Sequence, residues 1–199
     1  DQNTGKPIAY GQKARMMHGK THANIKTVRP LKDGVIADFN AAEQMIRGFV
    51  KMINYKNSFF TPSLRMVVSI PSGSTEVEIR AVRDSSEHAG GRDVYLMYEP
   101  MAAAVGIGLD VEAPTGNMVV DIGGGTTDVA VISLGGIVSS TSVKYAGNKI
   151  DQAIADYIKK TFNLAIGDRT AEEVKIAIGS AIPLEEELVY KIKGRDFMT

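Results

Sequence analysis

Cysteine is absent from the 199 residues, which excludes a disulfide framework and any thiolate metal site and fits a reducing cytoplasm. Neither sign of charge is in excess, because 23 Lys and Arg balance 23 Asp and Glu. No long-range field therefore draws the chain toward nucleic acid, and no such partner is expected. No apolar run approaches the roughly 18 residues that suggest a membrane span. The three histidines, His18, His22 and His88, lack metal-ligand spacing and read as ordinary exposed residues. Low-complexity tracts and long internal repeats are missing as well. What is present is a globular composition, 44% apolar, with nine methionines that read as core filler. The length suits one large domain or two small ones. Without a strong terminal signal at either end, segments of the natural protein are expected to be missing.

Along the chain, residues 1–39 mix Gly, Lys, Arg and His with short apolar pieces and read as a small peripheral subdomain. Within it, Arg29 to Gly34 forms a turn before a brief strand, Val35-Ile36-Ala37. Asn40 is placed to N-cap a helix with Met45, Ile46, Phe49, Val50 and Ile53 on one face, Glu43 taking the capping-box position. The run Met66 to Ile70 reads as a strand, Thr75 opens a helix ending near Ala89, and Val94 to Met97 is a second strand. This is an α/β pattern. Glu99-Pro100 then leads into a helix over Met101 to Val105. From Met118 to Tyr145 the pattern changes to three β-rich pieces, Met118–Ile122, Val129–Leu134 and Ile137–Tyr145, joined by turns short enough for antiparallel hairpins. A helix with Ile150, Ala153, Ile154, Tyr157, Ile158 and Phe162 on one stripe follows, and Thr170 with Glu173 reads as the capping box of a last helix. Gly116-Asn117 is the expected domain boundary.

The segment that carries chemistry is Val119-Val120-Asp121-Ile122-Gly123-Gly124-Gly125-Thr126-Thr127-Asp128-Val129. Gly123, Gly124 and Gly125 let the main chain approach a ligand and aim successive N–H groups at an anion, and the hydroxyls of Thr126 and Thr127 follow at once. Asp121 stands where a carboxylate holds Mg²⁺ through a water beside a polyphosphate. A plain tight turn needs neither three glycines nor two hydroxyls flanked by two carboxylates. Because a strand rather than a helix follows, the segment is neither a P-loop nor a dinucleotide fingerprint. It resembles the second phosphate motif of the superfamily that contains actin, sugar kinases and heat-shock chaperone ATPases.

Further stretches resemble the MreB family of bacterial actin-like proteins: Ile25 to Phe39, Glu99-Pro100-Met101-Ala102-Ala103-Ala104, and Arg169 to Lys175. That resemblance implies an α/β actin-like ATPase fold of two lobes around an ATP cleft, each built on a mixed sheet flanked by helices. Residues 1–117 are then most of the first lobe, with 1–39 its small subdomain and 40–117 its larger one. Residues 118–199 begin the second lobe. It further implies ATP and Mg²⁺ as cofactors, ATP hydrolysis, and homopolymer filaments that guide cell-wall synthesis in rod-shaped cells. Such filaments lie in the cytoplasm at the inner face of the membrane and meet cell-wall elongation proteins. The family's Asp-Gly-Thr phosphate hairpin and its late Gly-rich adenine segment are absent from these residues. The chain alone is therefore expected to bind ATP weakly or not at all.

Carried over residue by residue, the resemblance makes Glu78 the group that orients the attacking water. Thr75-x-x-Glu78 is also a capping box, and the two readings stay side by side. Glu172 and Lys175, on one helical face, match positions that contact ribose and adenine, although a surface ion pair explains them equally. Gly179 joins them on the nucleotide side. Phe59 and Phe60 stand in a polar, Pro-marked loop where the family carries an apolar loop that dips into the membrane; rings folding back onto the core are the alternative. A small-molecule kinase or a chaperone ATPase of the same superfamily are the competing functions, but no substrate pocket or peptide-binding domain is recognisable.

Overall fold

The computed structural model describes residues 1–53 and 64–197. In chain order, these residues form helix α1 (Gln12–Met17), strands β1 (Leu31–Lys32) and β2 (Val35–Ile36), and helix α2 (Phe39–Met52). Strand β3 (Leu64–Ile70), helix α3 (Glu76–His88), strand β4 (Gly91–Tyr98) and helix α4 (Glu99–Gly106) follow. Strands β5 (Asn117–Ile122), β6 (Thr127–Ser133) and β7 (Gly136–Val143) come next. The remaining elements are helix α5 (Gly147–Phe162), strand β8 (Leu164–Ala165), helix α6 (Asp168–Ile178) and strand β9 (Arg195–Asp196). They gather into two compact units. One comprises Asp1–Asp121 and Thr126–Lys144, the other Ile122–Gly125 and Tyr145–Thr199.

In the first unit β3 and β4 pair in parallel, from Leu64 opposite Gly91 to Ile70 opposite Tyr98, with α3 as the crossover. A parallel pair needs such a crossover, and the strand–turn–helix reading of Met66 to Ala89 anticipates it. The expected meander is a three-stranded sheet in the order β5-β6-β7, its last two strands antiparallel. Alternation along β6 buries Asp128, Ala130 and Ile132 on one face. Ala130 and Ile132 join Ala104 and Val119 in the core, with Met101, Leu109 and Ile137 packed around them. The brief strand expected near Val35 is half of a hairpin with β1. Its turn residues Asp33 and Gly34 both have positive φ, 51° and 79°, as a type I′ turn requires.

Two capping assignments are corrected. Asp38, not Asn40, caps α2: its carboxylate accepts from the Ala41 N–H at 2.9 Å. Asn40 lies inside the helix, and Glu43 bonds Arg47 at 2.6 Å and lies 3.4 Å from His88. In the second unit, α6 starts at Asp168 with Gly167 as its N-cap, so Thr170 is already helical. Glu173 accepts from Arg169 Nε at 2.8 Å, one turn back, rather than closing a capping box. Helix α5 packs on α6 around Ile158, Ala171 and Val174. Of the apolar stripe read on α5, Ile158 is buried while Ile150, Tyr157 and Phe162 are exposed. The short β8–β9 pair has no counterpart in the sequence reading.

Candidate functional site

The glycines belong to the second unit and are fastened to α5. That helix has no side-chain cap. Instead the Gly147 N–H donates to the Gly123 carbonyl at 3.1 Å and the Asn148 N–H to the Gly124 carbonyl at 2.8 Å. The glycine loop therefore satisfies two donors that every helix start leaves over. In a trans peptide, each carbonyl points opposite to the N–H of the next residue, and no cis bond occurs among the described residues. With the Gly123 and Gly124 carbonyls turned to α5, the N–H groups of Gly124 and Gly125 face away from it. A Cβ at Gly147 would lie 3.3 Å from the Gly123 carbonyl oxygen and 3.1 Å from Lys175 Nζ, which explains the glycine there. Lys175 Nζ donates to the Gly147 carbonyl at 3.1 Å and sits 2.8 Å from Asp151 Oδ1. The lysine thus ties α6 to the start of α5.

The first unit carries the carboxylates. Asp128 is 1% exposed, and its Oδ1 accepts both the Ser72 N–H at 2.8 Å and the Ser72 hydroxyl at 2.6 Å. Its Oδ2 is buried without a partner among the described residues. Glu99, half-buried at the first position of α4, is held above the ordinary carboxylate range, chiefly by burial and then by the negative charges of Asp128 and Asp121. Thr126 is buried, and the Asp33-Gly34 turn lies against it: a Cβ at Gly34 would come within 2.9 Å of Thr126 Cγ2 and of Pro71 Cγ.

Glu78 closes the capping box read from the sequence. It accepts the Thr75 N–H at 2.7 Å while Thr75 Oγ1 accepts the Glu78 N–H at 3.3 Å. Its carboxyl lies below the usual range, first because of the Thr75 backbone bond, then the Thr75 hydroxyl and Lys144, which together outweigh desolvation. Asp121, Thr126 and Thr127 fall in the first unit with Asp128 and Glu99. Gly123, Gly124, Gly125, Glu172, Lys175 and Gly179 fall in the second. Thr127 and Glu172 each have an interaction partner. Gly179 ends α6, and a Cβ there would meet the Lys175 carbonyl oxygen at 2.4 Å, so close backbone packing requires it. Phe59 and Phe60 lie outside the described residues.

Asp128 and Glu99 were missed as site residues. For Asp128 the signal was present: a charged residue at an inward position of an otherwise apolar strand. Glu99 stood inside a quoted motif, but an acid ahead of a proline reads as an ordinary helix start. Glu99 feels the negative charges of Asp128 and Asp121, and no side-chain ion pair to any of the three occurs among the described residues. No group of three potential ligands there is arranged to hold a metal directly, so only the water-mediated role given to Asp121 fits.

Comparison with solved structures agrees with this architecture. The crystal structure of MreB5 of Spiroplasma citri bound to ADP has a TM-score of 0.87 and 42% identity over all of this chain and 59% of that one. The same protein bound to AMPPNP gives 0.87 and 41%. The MamK double helical filament, at 21% identity and a TM-score of 0.62 over 73% of this chain and 45% of its own, shares the fold alone. The chain is therefore an actin-like protein of mixed α and β structure. Mbl of Bacillus subtilis strain 168, a cell shape-determining protein, is 50% identical over 131 residues, 66% of this chain and 39% of Mbl. The cell shape-determining protein MreB of Escherichia coli K12 is 55% identical over 123 residues, 62% of this chain and 35% of MreB. Each match spans less than two fifths of the relative's length. The profile of the MreB/Mbl protein family matches residues 1–199, and the chain belongs to that family. Among the described residues, no helix is long and apolar enough to cross a membrane.

Proposed function

We propose that the full-length protein binds ATP with Mg²⁺, hydrolyses it, and polymerises into filaments that guide cell-wall synthesis and maintain rod shape. The observation that carries the reading is the glycine loop, whose carbonyls are taken up by α5 so that the Gly124 and Gly125 N–H groups face away from the helix. Successive N–H groups turned outward suit a phosphate chain. The nucleotides named for the Spiroplasma citri structures, ADP and AMPPNP, support the nucleotide part of this reading. In this reading, residues 1–117 belong to the first lobe and 118–199 to the second. The hydroxyls of Thr126 and Thr127 assist the phosphates, and Glu172, Lys175 and Gly179 lie toward the nucleoside. Asp121 holds Mg²⁺ through a water, and the ion supplies charge neutralisation at the phosphates.

Two carboxylates compete for the attacking water. Glu78 is engaged at both ends of its capping box and held in its charged form, which weakens it as a proton acceptor. Glu99 has the raised proton affinity of a general base and follows the carboxyl end of β4, where ligands of parallel sheets gather. Glu99 is therefore a second candidate to test as the base, ahead of Glu78 where the capping bonds stay closed and behind it where they open during turnover. Phe59 and Phe60 anchor the filament at the inner face of the membrane, each weakly and together firmly through repetition along the polymer.

Pelleting the full-length protein with and without Mg·ATP tests the proposal, with phosphate release followed in the same samples. ATP-dependent sedimentation with hydrolysis is expected. Phosphate transfer to an added sugar without sedimentation would favour a small-molecule kinase instead. Co-flotation with liposomes should fall sharply in the Phe59→Ser, Phe60→Ser double variant while pelleting persists. Undiminished flotation would remove these rings as anchors.

A further inference from the structure

A buried carboxylate without a cation is costly to keep, because desolvation disfavours its charge. Asp128 is such a group: it is 1% exposed, and among the described residues its Oδ1 accepts from the Ser72 N–H and hydroxyl while its Oδ2 has no partner. An asparagine in its place keeps an oxygen for the two Ser72 donors and avoids the charge. Fold stability alone therefore gives little reason for an aspartate.

The tie joins two chemically important places. Asp128 lies on β6 two residues past Thr126, where the chain leaves the glycine loop. Ser72 lies in the turn from β3 to α3, which begins at buried Pro71 and ends at Thr75, the cap of α3. The same turn is pressed from two other sides. A Cβ at Gly34 would come within 2.9 Å of Pro71 Cγ, and one at Gly73 within 2.9 Å of Ser142 Cβ on β7. Neither packing contact supplies a directional bond; the Ser72–Asp128 pair supplies two, both to a charged acceptor, and bonds of that kind are the strong ones.

We propose that Asp128 is a positioning residue for the hydrolysis proposed above, acting through Ser72 to hold the Pro71–Thr75 turn against the start of β6. It does not touch the nucleotide. Its charge shortens and directs the two Ser72 bonds, so the turn and the start of α3 keep one geometry while phosphate is bound and released. Misplacing groups by about an ångström is enough to slow a reaction about a hundredfold.

The test uses the full-length protein with Asp128→Asn, Ser72→Ala, the double variant and Ser72→Thr. Asp128→Asn and Ser72→Ala should each lower kcat by about ten- to a hundredfold, the range that loss of charge-assisted bonds produces, with KM for ATP within about twofold. The double variant should be no slower than the slower single one, because both break the same tie. Ser72→Thr, which keeps N–H and hydroxyl, should restore the rate. Asp128→Asn weakens the tie and leaves amide N–H groups unpartnered but removes a buried charge, so the melting temperature should change little, and the loss of kcat is then not a loss of folded protein. Unchanged kcat in both singles, additive losses, or a KM that rises in step would overturn the proposal. If Asp128→Asn does not fold, the Ser72 variants decide by the same criteria. If the wild type hydrolyses no ATP, the parent reading fails, and hydrogen exchange at the Ser72 to Thr75 amides decides the tie. Faster exchange in Ser72→Ala than in wild type sustains it, and equal exchange removes it.

Discussion

The two units handle charge in opposite ways. In the second, the charges near the glycine loop are balanced internally: Lys175 meets Asp151 and the Gly147 carbonyl, and the loop carbonyls meet the first turn of α5. In the first, Glu99 feels the negative charges of Asp128 and Asp121, and Asp128 accepts from the Ser72 N–H and hydroxyl. Under the proposed function, the balanced side would recognise phosphate through backbone N–H groups. In the first unit, burial and the negative charges of Asp128 and Asp121 raise the proton affinity of Glu99. Under the proposed function the carboxylates would carry the chemistry and the glycine side would hold the phosphates on a stable scaffold, and each variant below strains one half of that proposal.

The largest effect is expected at Glu99. In the full-length protein, Glu99→Gln should slow hydrolysis by about two to four powers of ten while ATP binding stays near normal, the loss typical of a positioned acid–base group. Glu78→Ala, measured beside it by phosphate release, should remain within about tenfold of wild type. The reverse ranking would return the catalytic role to Glu78. Next comes Asp121→Asn, for which titration with Mg·ATP should show affinity weakened by at least about tenfold, since an amide does not balance a divalent cation. Unchanged affinity would strip the carboxylate cluster of its cation and collapse the contrast between the units.

On the glycine side the expected losses are of stability. Lys175→Met should cost about 1 to 3 kcal/mol in urea unfolding. That is less than breaking a fully buried pair, because the two side chains are 24% and 13% exposed. Gly179→Ala should cost about as much, as its Cβ overlaps the Lys175 carbonyl oxygen. If either change abolished nucleotide binding without loss of stability, the second unit would be doing more than supporting the loop.

The smallest effect is at the cap of α3, where Thr75→Ala should cost about 1 kcal/mol. Glu78 adds a pH signature. Because its folded carboxyl titrates below the unfolded one, its contribution is present at neutral pH and is lost as pH falls through that lowered value. Glu99 runs the other way. Its raised folded value gives a contribution present in acid and lost as pH rises through it, so Glu99→Gln should flatten the decline toward neutral pH in melts recorded across pH.

Features with a local cause were legible before the structure. Thr75 and Glu78 are three residues apart, and their reciprocal bonds need nothing else. The alternation of β6 and the glycine run depend on neighbouring residues alone. Caps with two acceptable candidates were harder: Asp38 and Asn40 are both good N-cap residues, and the chain's entry from the β1–β2 hairpin decides between them. Thr170 and Glu173 had capping-box spacing, yet α6 begins earlier at Asp168, and Arg169 claims Glu173. Pairings across long separations had no local signal. Ser72 and Asp128 are 56 residues apart, Lys175 reaches back to Gly147 across 28, and β8–β9 joins two residues to two. The phenylalanines at 59 and 60 rest on family resemblance alone.

The fastening of the glycine loop to α5 has a mechanical side. A helix of 16 residues is a rod about 24 Å long, and its first turn is gripped by the loop through the Gly123 and Gly124 carbonyls. Pulling the loop peptides without tilting the rod would break two hydrogen bonds and leave helix donors bare. The loop and α5 therefore behave as handle and lever. A displacement of the Gly123 and Gly124 peptides is passed to the first turn of the rod, whose far end stops at Asn163, a left-handed residue with φ 53°.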